Sequence, residues 1–395
     1  MRGVVRGIDM KKRLISLLFI FLLFTPLMSP VAAEWEEDSW LINIIGPERL
    51  AMGDEFGCHG MPESSLLSNV DVISQCREYL TDRIHASEWG SEPLSFGLPE
   101  GEISSELQEG LQNSGFYITD SNGAVKNENA SLINYNGGSL EKNIGSKSNF
   151  LNLVDSGTPL INFHWMARDH DAIVRPETDL INSIESTTAW FTTWGEYYSY
   201  QNSINNFSVS DNGTGEWVVE HQLFESNYWL VPTTSVFNNL NATVVKVSYD
   251  LENLSELTSI EGHLQEGWRQ SHNSLFLTLM PGKKVTIYFD KYDFVNFNQT
   301  PSSQFNGHEL AITVAGHHTN DLFDWSRRWD ESPMRFTWLI EPRMVGGFSW
   351  LLPAIAVLVA LIAPVAIISL VRKDKRAQYV VEVFDSLESI KFGEE

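Results

Sequence analysis

Hydrophobic positions in the first half of the chain follow both helical and strand-like spacing. Between residues 69 and 87, Val72, Ile73, Cys76, Leu80 and Ile84 recur at three- and four-residue intervals, which predicts a helix with one buried face. The stretch "EISSELQEGLQNS" predicts a second helix that ends before Gly115. Residues 34–205 therefore have the mixed pattern of an α+β domain.

Apolar runs in the same segment predict strands, and a polar stretch predicts a loop. The predicted strands are "WLINII" (40–45), "FYIT" (116–119), "PLINFHWMA" (159–167) and "TTAWFTTWGEYYSY" (187–200), the last as an aromatic strand or hairpin. The Gly- and Asn-rich stretch that follows residue 120 predicts a long irregular loop. We place a domain boundary in the polar residues 201–216.

Beyond this boundary the pattern becomes that of a β-rich domain. Short apolar runs alternate with turn residues in "TVVKVSYDL", "LFLTLMPGKKVTIYFD", "HELAITVAG" and "RFTWLIEP". Four or more strands over residues 215–343 predict a domain that resembles a β-sandwich. The predicted fold class is thus an α+β ectodomain, with a mixed head followed by a membrane-proximal sandwich.

The two ends of the chain carry membrane signals. Residues 1–33 have a basic start, an apolar core and small residues at the end, as in a secretory signal peptide; an uncleaved signal anchor is the alternative. Residues 348–371 are apolar and uncharged, long enough to span a bilayer, and are followed by the basic "RKDKR". A buried core helix is the alternative for this segment. We predict a single-pass cell-membrane protein with residues 34–343 outside and a cytoplasmic tail of residues 372–395.

The only two cysteines, Cys58 and Cys76, both lie in the predicted ectodomain. An oxidising compartment favours one disulfide between them. The alternative, a reactive thiol at Cys58 beside His59, requires a reduced cysteine and an activating base.

Composition narrows the set of partners. The chain has 51 acidic and 27 basic residues and a formal net charge of −24, which argues against nucleic acid as a partner. Asn-x-Ser/Thr acceptors predict N-glycosylation on an external protein. These acceptors are Asn129, Asn206, Asn212, Asn241, Asn253 and Asn298.

Two clusters of His and Asp follow predicted strands and suggest a divalent metal ion, because these side chains are ligands for zinc and similar ions. The candidate ligands are His164, Asp169, His170, His317, His318 and Asp321. Ten histidines are an ordinary number for this length, and neither segment matches a metalloenzyme motif, so a protein without any cofactor is the simpler expectation.

Trp190, Thr192 and Trp194 alternate along the predicted strand and would share one face, where the two exposed tryptophan rings would stack on a glycan. The alternative is that these rings form part of a hydrophobic core.

No catalytic motif is recognisable in the sequence. We therefore expect a membrane-anchored surface protein with a binding or structural role, whose ligand is a glycan or a protein. The alternative is a membrane-tethered, metal-dependent hydrolase that uses the two His/Asp clusters.

Overall fold

The computed structural model describes most of the chain. The described residues are 41–60, 71–98, 104–120, 131–141, 144–165, 178–211, 215–250, 252–291, 295, 297–317, 329–341 and 351–391. The predicted signal peptide lies outside them. The chain divides into two units, one formed by Glu36–Arg343 and the other by Met1–Trp35 with Met344–Glu395.

Seven α-helices are described. They are α1 (Gly46–Ala51), α2 (Asp71–Thr81), α3 (Ser105–Asn113), α4 (Lys147–Asp155), α5 (Thr178–Glu185), α6 (Trp194–Ser203) and α7 (Leu351–Lys391). A π-helical turn at Leu41–Ile45 precedes α1, and a 3-10 turn is present at Phe305–Gly307.

Eighteen strands are described. The first nine are β1 (Glu55–Cys58), β2 (Ser95–Phe96), β3 (Ile118–Asp120), β4 (Ser131–Ile133), β5 (Gly138–Ser139), β6 (Leu160–Trp165), β7 (Trp190–Phe191), β8 (Phe207–Asp211) and β9 (Glu216–His221). The others are β10 (Thr233–Asn238), β11 (Val244–Tyr249), β12 (Glu252–Asn253), β13 (Gly267–Ser271), β14 (Ser274–Leu279), β15 (Lys284–Phe289), β16 (Asn298–Pro301), β17 (Ala311–His317) and β18 (Phe336–Ile340).

A parallel sheet of nine strands forms the centre of the unit Glu36–Arg343. Its order is β4-β3-β2-β1-β18-β17-β6-β5, with β7 also paired to β17, and all of these neighbouring strands are parallel. Parallel neighbours need crossover connections, and helices α2 to α5 lie in the connections between its strands. The carboxyl ends of all these strands therefore lie at the same edge.

This sheet is strongly curled. Four strands separate β4 from β17, so in a flat sheet the two would lie about 24 Å apart at the usual strand spacing. However, the hydroxyl of Tyr135, two residues after β4, lies 3.4 Å from Nε2 of His317 at the end of β17. The connection between β4 and β5 also bonds to β6, because Gly137 N–H donates to the carbonyl of Asn162. Side chains at the carboxyl ends consequently face one another across the curl.

Two antiparallel sheets are formed by the chain between β7 and β17. One has the order β13-β14-β10-β16 and the other β12-β11-β15-β9-β8. Side chains from both sheets join one hydrophobic cluster, with Phe237 and Leu277 from the first and Val219 and Ile287 from the second. A separate hydrophobic cluster contains residues of the parallel sheet, such as Ile118 of β3 and Ala311 of β17.

Several predicted elements are confirmed, among them α2, α3 and β6. Helix α3 begins where the side chain of Ser104 accepts the N–H of Leu107, and α4 begins where Ser146 accepts the N–H of Asn149. These hydroxyls satisfy amide groups that have no partner inside the helix.

Other predicted elements are wrong. "WLINII" contains a π-helical turn rather than a strand, because an uninterrupted apolar run does not distinguish strand from helix. The aromatic stretch forms only the short β7 and then helix α6, whose start is capped by Thr193. The predicted loop after residue 120 contains β4 and β5 in its described part.

Two strands of the predicted β-rich segment belong to a different sheet from the one predicted. Strands β17 and β18, which the sequence assigned to a sandwich, are central strands of the parallel sheet. Both are buried at nearly every position, and a short buried run has the same pattern in either kind of sheet.

In the other unit, helix α7 contains residues 351–371 of the predicted membrane span, and residues 348–350 lie outside the described residues. It is the one helix among the described residues that is long and apolar enough to cross a bilayer. It continues without a break through the basic residues 372–376, and Pro364 lies inside it.

Candidate functional site

A group of ionisable side chains lies where the carboxyl ends of the parallel strands meet. It is called the carboxyl-end cluster here, and its members are His59, Asp120, Tyr135, His164, His317 and Glu341. These residues lie at or next to the carboxyl ends of β1, β3, β4, β6, β17 and β18. This edge of a parallel α/β sheet is the usual position of ligand and active sites.

His59 is held by the first strand and by its neighbours. The backbone N–H of His59 donates to the backbone carbonyl of Ile340 at 2.8 Å, which extends the pairing of β1 with β18. Its ring packs over Gly97, where an added Cβ would lie 2.7 Å from the His59 Cδ2 atom. Nδ1 lies 3.2 Å from Oε1 of Glu341, a contact that lacks hydrogen-bond alignment.

The predicted disulfide between Cys58 and Cys76 is present and supports this strand end. Both cysteines are fully buried, and the bond joins the last residue of β1 to helix α2. The residue before His59 is therefore covalently fixed, and Cys58 is not a free nucleophile.

Tyr135 connects two other members of the carboxyl-end cluster. Its hydroxyl donates to Oδ2 of Asp120 at 3.0 Å and lies 3.4 Å from Nε2 of His317. The other oxygen of Asp120 accepts the N–H of Leu98 at 2.9 Å. The ring of His317 also meets the ring of His59 edge-on, at 5.1 Å between centroids.

His164 completes the cluster from β6. Its ring meets Tyr135 edge-on at 5.0 Å. Its Nδ1 atom is buried and has no hydrogen-bond partner among the described residues. A buried ring nitrogen without a partner is costly in a folded protein, and such groups are common where a ligand or substrate binds.

Burial controls the protonation of this cluster. It lowers the pKa of His164, and it lowers the pKa of His317 to about 3, with further contributions from His59 and His164. Burial also raises the pKa of Tyr135 well above its ordinary value, and the charge of Asp120 adds to this shift. At neutral pH both of these imidazoles are thus neutral and the phenol keeps its proton.

Of the six predicted metal ligands, the structure describes His164 and His317 and brings both into this cluster. Asp169, His170, His318 and Asp321 lie outside the described residues. Within the described part of the chain, no three His, Cys, Asp or Glu side chains are arranged to hold a metal ion.

The rings predicted to stack on glycans are buried. Trp190 and Trp194 have 0% exposure, and Trp194 Nε1 donates to Oδ1 of Asn162 inside the curl. No ring face is therefore presented to a sugar.

The acceptor asparagines fall into two groups. Asn241, Asn253 and Asn298 are exposed and Asn206 is partly exposed, whereas Asn129 and Asn212 lie outside the described residues. Glycosylation at any of them stays a prediction.

Sequence reasoning missed four members of the cluster, namely His59 as a site residue, Asp120, Tyr135 and Glu341. A signal was available for two of them, since Asp120 directly follows the strand predicted at "FYIT" and Glu341 directly follows "RFTWLI". Tyr135 follows a strand that the sequence assigned to a loop. Their convergence depends on strand order, which no local pattern encodes.

A second polar group lies toward the amino ends of the strands and is built differently. These amino-end carboxylates are Asp54, Glu55 and Glu196, all buried. Glu55 accepts the hydroxyl of Ser95, the N–H of Gly195 at 2.7 Å and the hydroxyl of Thr337 at 3.2 Å. Every carboxylate oxygen of Glu55 thus has a donor.

Glu196 and Asp54 are equally well surrounded. Glu196 accepts three side-chain hydrogen bonds, from Trp89, Trp190 and Thr192, at 2.9, 3.0 and 2.7 Å. Asp54 accepts the Arg49 Nε–H at 2.6 Å, the Trp338 indole N–H at 2.7 Å and the Phe336 N–H at 3.0 Å. These donors come from strands, loops and helices that the carboxylates hold together.

Comparisons of the chain with known protein families, with curated proteins and with solved structures found no match.

Proposed function

We propose that the protein is a membrane-anchored hydrolase that performs acid–base chemistry at the carboxyl-end cluster. The observation that supports this most directly is the convergence of three imidazoles, one phenol and two carboxylates at one edge of a parallel sheet. A set of groups with different proton affinities in one place is what general acid–base catalysis requires.

His59 and Glu341 are the residues we assign to proton transfer. An imidazole that takes a proton from an attacking water becomes a cation, and the Glu341 carboxylate 3.2 Å away stabilises that cation. The neutral ring of His317 contacts that of His59, and the neutral ring of His164 contacts Tyr135, so both belong to the same site.

Hydrolysis is the reaction class we favour, because it needs only water as the second substrate. The sequence has neither a phosphate-binding loop nor a dinucleotide-binding fingerprint. A metal-dependent hydrolase would also need the predicted ligands Asp169, His170, His318 and Asp321, which lie outside the described residues. The effect of a chelator on turnover tests whether a metal ion takes part.

The membrane anchor in this proposal is helix α7. The basic residues 372–376 follow the apolar part of the helix, which favours a cytoplasmic carboxyl end and an external unit Glu36–Arg343. The Cys58–Cys76 disulfide supports an oxidising compartment for that unit. The substrate is then an external molecule near the membrane surface.

The experiment is a turnover screen of the full chain in detergent against ester, amide, phosphoester and glycoside substrates, with and without a chelator. We expect His59→Gln and Glu341→Gln to lower kcat by about 100-fold. His85→Gln is the matched control, because His85 is exposed and distant in sequence from the cluster members on β17 and β18.

Equal turnover by the wild type and both cluster variants would refute the proposal. If the wild type hydrolyses none of the four substrate classes, the binding or structural role predicted from the sequence takes its place.

A further inference from the structure

Asp120, Tyr135 and His317 form a hydrogen-bonded chain at the carboxyl ends of β3, β4 and β17. The Tyr135 hydroxyl is 3.0 Å from Oδ2 of Asp120 and 3.4 Å from Nε2 of His317. Asp120 is itself fixed, because its Oδ1 accepts the backbone N–H of Leu98. The direction of each hydrogen bond in this chain follows from the number of protons available.

A phenol has a single proton to donate, and an ionised carboxylate only accepts. Tyr135 therefore donates to the charged carboxylate of Asp120, because the 3.0 Å contact would otherwise place two lone pairs against each other. The phenol oxygen then has only lone pairs left for His317. Nε2 of His317 must consequently carry the ring proton and donate it to Tyr135.

We infer that Asp120 and Tyr135 are positioning residues that hold His317 as its Nε2–H tautomer and leave the reactive lone pair on Nδ1. The inference deepens the proposed function and rests on it, because the position of this lone pair matters only where the cluster performs chemistry. Histidines at working sites commonly have one ring nitrogen fixed by a hydrogen bond so that the other is free to act.

The surroundings preserve this arrangement. Burial keeps His317 neutral and keeps the proton on Tyr135. The ring of Tyr135 also contacts those of His164 and Trp194, at 5.0 and 6.0 Å between centroids, which restricts its movement.

The test is nitrogen NMR of the full chain in detergent, with histidine labelled at both ring nitrogens. The signals of His317 are assigned by their loss in His317→Gln. We expect the wild type to show a protonated Nε2 and an unprotonated Nδ1. Tyr135→Phe should convert this pair to the averaged signals of two exchanging tautomers, because the acceptor of the Nε2 proton is gone.

Tyr117→Phe is the matched control. Tyr117 packs against the same core, and its ring lies 5.6 Å from that of Tyr228 rather than against His317. We expect the signals of His317 to be the same in this variant as in the wild type.

Two results would overturn the inference: a wild-type His317 with its proton on Nδ1 or on both nitrogens, or a Tyr135→Phe variant with unchanged His317 signals. Where a substrate is found, Tyr135→Phe should lower kcat about tenfold with little change in KM. An absence of turnover would refute the proposed function, whereas the NMR result decides the tautomer in either case.

Discussion

The two polar groups of the parallel sheet use similar residues for different purposes. At the amino ends, Asp54, Glu55 and Glu196 each accept hydrogen bonds from two or three buried donors. At the carboxyl ends, His164 has a buried ring nitrogen without a partner in the described structure, and the His59–Glu341 contact is not aligned as a hydrogen bond. Buried polar groups with all their hydrogen bonds made stabilise a fold. Buried polar groups without partners lower stability, and a role in binding or catalysis is a reason for a protein to keep them.

This comparison predicts opposite effects of substitution at the two ends of the strands. Replacing a member of the amino-end carboxylates should destabilise the protein, because buried donors lose their acceptor. Replacing a side chain of the carboxyl-end cluster whose buried polar atom lacks a hydrogen bond, such as His164, should affect activity and leave stability nearly unchanged.

The largest effect is expected for Asp54→Ala. The variant leaves Arg49, which is 1% exposed, without its closest partner, and breaking a buried ion pair from one side costs about 3–5 kcal/mol. Chemical denaturation followed by tryptophan fluorescence measures the loss. Asp82→Ala, at an exposed site, is the control, and a loss below about 1 kcal/mol in Asp54→Ala would contradict the comparison.

The second effect is a pH dependence from Glu196. Burial raises its pKa from 4.5 to about 7, with a contribution from Glu88. Between these values the unfolded chain ionises Glu196 and the folded chain does not, so stability should fall as pH rises from about 4.5 to about 7. The free energy of unfolding should decrease by on the order of 3 kcal/mol in total. The decrease begins near the pKa of Glu196 in the unfolded chain and is complete above its pKa in the folded chain.

Denaturation at pH 5 and pH 7 measures this decrease. Glu196→Gln should reduce the difference between the two pH values, whereas Glu106→Gln, at an exposed position in α3, should not. An unchanged difference in Glu196→Gln would show that Arg335 and the three donors keep Glu196 ionised throughout this range.

The smallest effect on stability is expected for His164→Phe. Removing a buried nitrogen that has no hydrogen-bond partner should leave stability unchanged or raise it by up to about 1 kcal/mol, while turnover is lost.

His221→Phe is the control, because both ring nitrogens of this buried histidine contact carbonyl oxygens, at 2.8 and 3.2 Å. That variant should lose about 1–3 kcal/mol in the same denaturation experiment. Equal losses in the two variants would contradict the comparison.

Local patterns in the sequence were sufficient for features that depend on neighbours along the chain. Helix α2 follows from the spacing of Val72, Ile73, Cys76 and Leu80, which are all buried in the structure. The apolar helix α7 follows from length and composition alone. The disulfide follows from two cysteines in a chain with a predicted export signal.

Local sequence patterns failed where the same pattern is compatible with two different secondary or tertiary structures. Strands β17 and β18 read as members of a β-rich domain, because a short buried run does not reveal which strand lies beside it. The aromatic residues of α6 predicted a strand, because Tyr197 and Tyr198 lie outside its buried face and so hide the helical period.

The sequence by itself thus determined the type of several elements, the covalent link and the apolar helix, since each depends on local spacing or composition. Only the tertiary structure decided that Tyr135 and His317, 182 residues apart, share a hydrogen bond. Strand order and the curl of the sheet produce that contact. These depend on the packing of the whole unit, and no single segment contains the information to specify them.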